Sequence, residues 1–295
     1  MRTIHPADRP KIRMAPVGLF LAGLCLGVLF QKYYGTGHLL ATVIPSSASV
    51  TQSPDPIRSP TSQRVKVEVS DLASKRVMVA LIFGQSNSAN FGESPRQAGP
   101  NVYNLAHRVL YVAQDPLLGA AGDGGSVWTR LGDEIIGAKL YDAVVFIPIG
   151  VDNTHLARWT PGGDLHPRIL DAIDDAQAAG LRITHLLWHQ GESDNALRTT
   201  RMQYRAMLLD MITSIRAHGV TAPMYVSIAS RCGDAAPNAD IQAAQRDVIS
   251  LTDGIYPGPD TDSLGPAFRQ PDRCHFSDQG LEQFAALWLE ALQSQ

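Results

Sequence analysis

Five short apolar runs constrain this chain more than any other feature. They are Val77–Phe83, Ala143–Ile149, Ile183–Trp188, Met224–Ile228 and a weaker one at Gly254–Tyr256. Runs of that length suit strands covered on both faces, and amphipathic stretches of helical period lie between them. The helical patterns fall at Val127–Leu140, Pro167–Ala179, Thr199–His218 and Ile241–Leu251. A last one, Ser277–Leu292, has Ser277 as its cap and a stripe of Leu281, Phe284, Ala285, Trp288 and Leu292. This alternation predicts an α/β domain with a parallel sheet and helices on its faces. In open sheets of this kind the functional groups gather beyond the carboxyl ends of the strands. The segments 84–87, 150–155, 190–194 and 230–234 each follow a strand and are therefore expected at one edge.

The folded domain is expected over residues 64–295. Residues 1–14 carry Arg2, Arg9, Lys11 and Arg13, and Ala15–Phe30 contains no charge. Extended to Tyr34, that stretch reads as an uncleaved signal-anchor over 15–34 with its basic side in the cytoplasm. The alternative is a signal peptide cleaved near Ser47-Ala48-Ser49. The linker 35–63 is rich in Pro, Ser and Thr and cannot bury a core. The catalytic part is accordingly expected outside the cytoplasm, tethered or secreted. A net charge of −3 with 18% charged residues gives no reason to expect a nucleic-acid partner.

The chemistry begins at Gly84-Gln85-Ser86-Asn87, a polar turn directly after an apolar run. A strand that ends in a tight turn can expose a serine nucleophile, with a following helix presenting its N–H groups. A serine needs a base, and the base needs a group to orient it. Asp272 and His275, three apart in a loop before the last helix, supply that pair. The Ser86 N–H and the Gln190 side chain are candidate donors to an oxyanion. Gln85, Asn87 and Glu192 are expected behind the reacting groups. Trp128 and Trp159 read as packing rather than as sugar platforms. His155, His166, His185 and His189 are not read as a ligand set, so neither a metal nor another cofactor is expected. Cys232 and Cys274 can form one disulfide or remain two thiols.

Together, Gly84-Gln85-Ser86-Asn87, Trp188-His189-Gln190-Gly191-Glu192-Ser193-Asp194 and Asp272-x-x-His275 resemble the SGNH hydrolase superfamily. The resemblance is to its sialate O-acetylesterase-like branch, which includes carbohydrate esterase family six, the acetylxylan esterases. It spans about residues 76–292. It implies a three-layer α/β/α sandwich of flavodoxin-like type with a central five-stranded parallel sheet. It further implies Ser86 as nucleophile, His275 as base, Asp272 as its orienter, and metal-independent removal of O-acetyl groups from carbohydrate. One departure stands out. The branch carries Gly-Gly followed by Ser or Thr after the second strand, where this chain has Val151-Asp152-Asn153-Thr154-His155. Asn tolerates left-handed backbone, so Asn153 is expected to keep the turn and offer its N–H, while the charge of Asp152 is unfavourable there unless it points away or pairs, for example with Arg158. Two alternatives remain open at this level: an envelope glycan O-acetyltransferase with the same triad, and a catalytically silent glycan-binding protein.

Overall fold

A computed structural model describes residues 64–294. The anchor expected at 15–34 and the linker lie outside the described residues. Among the described residues, no helix is long and apolar enough to cross a membrane.

The sheet has eight strands: β1 (Lys66–Val67), β2 (Val77–Gly84), β3 (Val102–Ala106), β4 (Val109–Val112), β5 (Ala143–Pro148), β6 (His185–His189), β7 (Met224–Ile228) and β8 (Ile255–Asp260). Their spatial order is β1-β4-β3-β5-β2-β6-β7-β8. The run from β3 to β8 is parallel, while β4 pairs antiparallel with β3 and β1 with β4. The five expected strands are β2, β5, β6, β7 and β8, in flavodoxin-like order. The expectation of five strands is corrected to eight by the β3–β4 hairpin and the short β1. That hairpin turns on His107 (φ 47°) and Arg108 (φ 64°). A two-residue turn with both φ positive ordinarily announces itself as Asn-Gly or Asp-Gly, and His-Arg hides it.

Alternate residues of the central strands feed two cores, because successive side chains point to opposite faces. Leu81, Phe83, Val145, Ile147 and Trp188 pack with Ile169 of α2 (His166–Ala178), Tyr204 and Leu208 of α4 (Arg201–Ala217) and Ile241 of α5 (Ala239–Asp247). Met78, Ala80, Ile82, Val144 and Phe146 face α1 (Val127–Gly137) and α6 (Asp278–Gln293). Trp128 of α1 and Trp288 of α6 meet there at a 5.7 Å ring separation. A short helix α3 (Glu192–Ala196) replaces part of the loop expected after β6. Ser277 caps α6 as expected, its Oγ accepting from the Gly280 N–H at 3.2 Å.

The register places the ends of β2 and β5 side by side, with Ile82 opposite Pro148, and those of β2 and β6, with Gly84 opposite His189. The loops that follow therefore share the carboxyl edge. Trp288 is fully buried in the layer under that edge. Trp288→Ala should cost about 3–5 kcal/mol of stability, read as a lowered denaturant midpoint in equilibrium unfolding. A change under about 1 kcal/mol would mean that α6 does not seal the sheet as described.

Candidate active site

The serine turn is forced by one glycine. Gly84 has φ 135°, and a Cβ there would lie 1.9 Å from the His189 carbonyl oxygen. The chain then makes a single 3-10 turn, Ser86–Ser88, closed by Ser88 N–H to Gln85 O (2.8 Å) and Ala89 N–H to Ser86 O (2.9 Å). No α-helix follows, which corrects the strand-to-helix expectation. The Trp128 indole N–H donates to Ser88 O at 2.9 Å and braces the turn from the core. Ser86 itself is 4% exposed.

Asp272 and His275 are brought together. The imidazole Nδ1 lies 2.6 Å from Asp272 Oδ2, and Asp272 Oδ1 accepts from the Cys274 and His275 N–H groups at 2.9 and 3.0 Å. Partial burial alone would raise this carboxyl. The three hydrogen bonds overcome it and hold Asp272 below the usual carboxylate range, so it stays ionised beside the imidazole. The His275 ring stacks on Phe91 at 5.2 Å. Gln270 donates to Phe91 O at 2.8 Å, which ties this loop to the segment leaving the serine turn.

Asn87 makes the decisive link. Its Nδ2 donates to Glu192 Oε1 at 2.8 Å and to Cys274 O at 3.3 Å. Glu192 is buried, and desolvation pushes its carboxyl up. His189 lies behind it. Thr261 Oγ1 donates to Ile228 O at 3.1 Å, so it accepts from His189 Nε2–H at 2.8 Å. That leaves Nδ1 bare, 3.9 Å from Glu192 Oε1. Complete burial lowers the His189 pKa to about 3.

The Gln190 amide is engaged by buried partners, which corrects its assignment to the oxyanion hole. It is 0% exposed. Its Nε2 donates to Gln85 Oε1 (3.2 Å), Thr154 O (3.1 Å) and Asp194 Oδ2 (2.7 Å), and its Oε1 accepts from Tyr204 OH (3.0 Å). An amide with two N–H groups has none left for substrate. Gln85 Oε1 also takes the Ser193 N–H at 3.1 Å, so Gln85 locks the β2 turn to α3. Asp194 accepts from the Leu156 N–H at 2.8 Å and so pins the loop after β5.

In that loop Asn153 has φ 51°, the left-handed conformation expected for it, and it is exposed. Arg158 does not pair with Asp152. Its guanidinium grips Asp164 at 2.9 and 2.6 Å. Trp159 is buried and its indole donates to Thr154 Oγ1 at 3.1 Å, a packing role like that of Trp128. Cys232 and Cys274 are joined as a disulfide.

Arg269 had no sequence signal, and Asp262 was not among the expected site residues. Arg269 is buried, donating to Leu264 O (3.2 Å), Cys274 O (2.5 Å) and Thr261 O (2.9 Å), with its guanidinium 4.4 Å from the centre of the Phe276 ring. Asp262 gathers Ser230 N–H and Arg231 N–H, both at 2.8 Å, and Ser230 Oγ at 2.5 Å. A cavity of about 410 Å³ lies between the β3–β4 turn and α2, lined by His107, Arg108, Gly119, Arg168 and Asp171, and does not include Ser86. Among the described residues, no group of three or more His, Cys, Asp or Glu is arranged to hold a metal.

The α/β fold with its mostly parallel sheet is shared by solved structures. A protein from Arabidopsis thaliana is similar over 74% of this chain and 98% of its own, at 16% identity and a TM-score of 0.60. A protein described as a GDSL-like lipase, from Parabacteroides merdae, is similar over 75% of this chain and 98% of its own, at 15% identity and a TM-score of 0.50. No curated protein sequence matches the chain. The pattern of the carbohydrate esterase family, sialic acid-specific acetylesterase, matches residues 76–293. The chain belongs to that family, and its activity is that of a carboxylic ester hydrolase removing O-acetyl groups from carbohydrate.

The buried imidazole has a pH consequence. Unfolded, His189 takes a proton near 6.5; folded, only near about 3. The folded state therefore loses stability as pH falls from 6.5 toward 3. His189→Gln removes that contribution. The unfolding free energy of the variant should gain on the wild type as pH drops through this window, and two parallel curves would contradict the assignment.

Proposed function

We propose that Ser86 is the nucleophile of a two-step deacetylation. Ser86 Oγ attacks the acetyl carbonyl carbon while its proton moves to His275 Nε2. Asp272 holds the tautomer with the proton on Nδ1 and stabilises the imidazolium that forms. The tetrahedral oxyanion is met by the backbone N–H groups of Ser86 and Asn153. Collapse breaks the bond to the sugar oxygen, which takes the proton from His275. Water, deprotonated by the same imidazole, then attacks the acetyl-serine. Acetate leaves, and Ser86 recovers its proton.

The observation that carries this reading is the Asp272–His275 pair at 2.6 Å, on a loop fastened to the serine turn by Asn87. The exposed Asp152 lies beside the proposed donor. Its charge points to a preference for substrates that bring no further negative charge close to Asn153.

The domain is further proposed to act outside the cytoplasm, on O-acetylated carbohydrate of the cell envelope or its surroundings. It would be held there by residues 15–34 or released by cleavage. The disulfide supports that compartment, since such bonds persist where the surroundings are oxidising.

Acetate release from a chromogenic acetyl ester by the full chain should fall by about 10³-fold or more in kcat in Ser86→Ala, with KM little changed. Equal turnover in both proteins would remove Ser86 from the mechanism.

A further inference from the structure

Cys274 directly precedes His275, and it is held from every side. Its N–H donates to Asp272 Oδ1 at 2.9 Å. Its carbonyl accepts from Asn87 at 3.3 Å and from Arg269 at 2.5 Å. Its sulfur is bonded to Cys232, 42 positions earlier in the chain. Cys232 stands on the loop after β7, whose root is held by hydrogen bonds. Ser230 and Arg231 are tied to the buried Asp262, and Asn195 Nδ2 donates to Ser230 O at 2.9 Å.

Besides the bridge, the loop tip that carries the Asp272–His275 pair is tied to the body through the Cys274 carbonyl and the His275 ring on Phe91. Asp272 and Arg273 are exposed, and Arg273 holds a left-handed φ of 56°. Its ion pair with Asp234 lies at the surface, where such pairs contribute little. The roots of the loop are firmer. Arg269 is bound to three carbonyls and stacked on Phe276, and Ser277 caps α6. The covalent bridge thus adds a hold on the Cys274 side chain to the hydrogen bonds on its backbone.

We propose that the Cys232–Cys274 disulfide is a positioning element for His275, so that turnover depends on the oxidised state of this pair. The inference rests on His275 serving Ser86 as base. Opening the bridge leaves the domain folded, because Arg269, Asp262 and the α6 cap are untouched. It removes the covalent hold on the Cys274 side chain and leaves the imidazole placed by hydrogen bonds and the Phe91 contact alone. A misplacement of about 1 Å in a reacting geometry can cost on the order of 10²-fold in rate. The chemistry balances with a dithiol reductant. Its thiolate attacks one sulfur of the bridge, and the resulting mixed disulfide is resolved by its second thiol. The protein S–S bond is reduced to two thiols as the reductant is oxidised to a disulfide. Cys232 is partly exposed and Cys274 buried, so attack comes at Cys232. A chain held in a reducing compartment would stay folded but slow, and would reach full activity on oxidation.

The test uses the full chain and a chromogenic acetate, before and after dithiothreitol, with Cys232→Ser and Cys274→Ala alongside. Reduction of the wild type should lower kcat by about 10- to 100-fold and leave KM within about twofold. Its circular dichroism should be unchanged, and reoxidation should restore the rate. Both variants should be slow from the start and indifferent to dithiothreitol. Full kcat in a reduced, folded wild type would overturn the inference, as would loss of fold on reduction or alkylation of Cys232 and Cys274 in the active untreated protein. An oxidised wild type that turns over no acetyl ester would overturn the catalytic reading and this inference with it. An active wild type indifferent to reduction overturns this inference alone.

Discussion

The Asn87 amide donates to the buried Glu192 carboxylate at 2.8 Å and to the Cys274 carbonyl at 3.3 Å, and through those bonds three loops share one register. One loop carries Ser86, the next follows β6, and the last carries Asp272 and His275. They come from positions far apart in the chain, so no local preference could align them. Parallel strands bring their ends to one edge of the sheet. The amide then fixes the remaining offset between the proposed nucleophile and its base. Glu192 is suited to receive it, since a buried carboxyl oxygen without a partner is costly and a hydrogen bond recovers part of that cost.

Charges near the site are managed by dipoles more than by ion pairs. Arg269 is held by carbonyl oxygens and an aromatic face. Asp262 takes backbone and hydroxyl donors. Asp194 is met by an amide, a hydroxyl and a backbone N–H. Hydrogen bonds to a charged group are stronger than neutral ones, and each also fixes a direction. The result is a set of loops whose backbone is specified by buried side chains, with Asp272 left at the surface to pair with a half-buried His275.

How much of this was legible in the sequence follows from range. The central strands were readable because burial on both faces leaves a continuous apolar run. The β3–β4 hairpin was not, since His107-Arg108 carries no turn signal. Asp272 and His275 were readable as a pair because a spacing of three within a turn is local. Gln190 was misread because its partners Gln85 and Thr154 come from other strands' loops. Nothing in the segment says that the strand-end amide is consumed there. Arg269 gave no signal at all, as a lone arginine among Pro, Phe and Gln has the look of a solvated loop. The departure at Asp152-Asn153 was sharpened by the structure. Asn153 does take the left-handed turn, and Arg158 is engaged elsewhere.

The central claim is that one serine, at the end of β2, carries the acetyl group. A fluorophosphonate probe that traps activated serines, followed by peptide mapping of the labelled full chain, tests it most directly. The account predicts a single adduct on Ser86 and acetate release that falls in step with labelling. An adduct on another residue, or full turnover by protein labelled at Ser86, would contradict it.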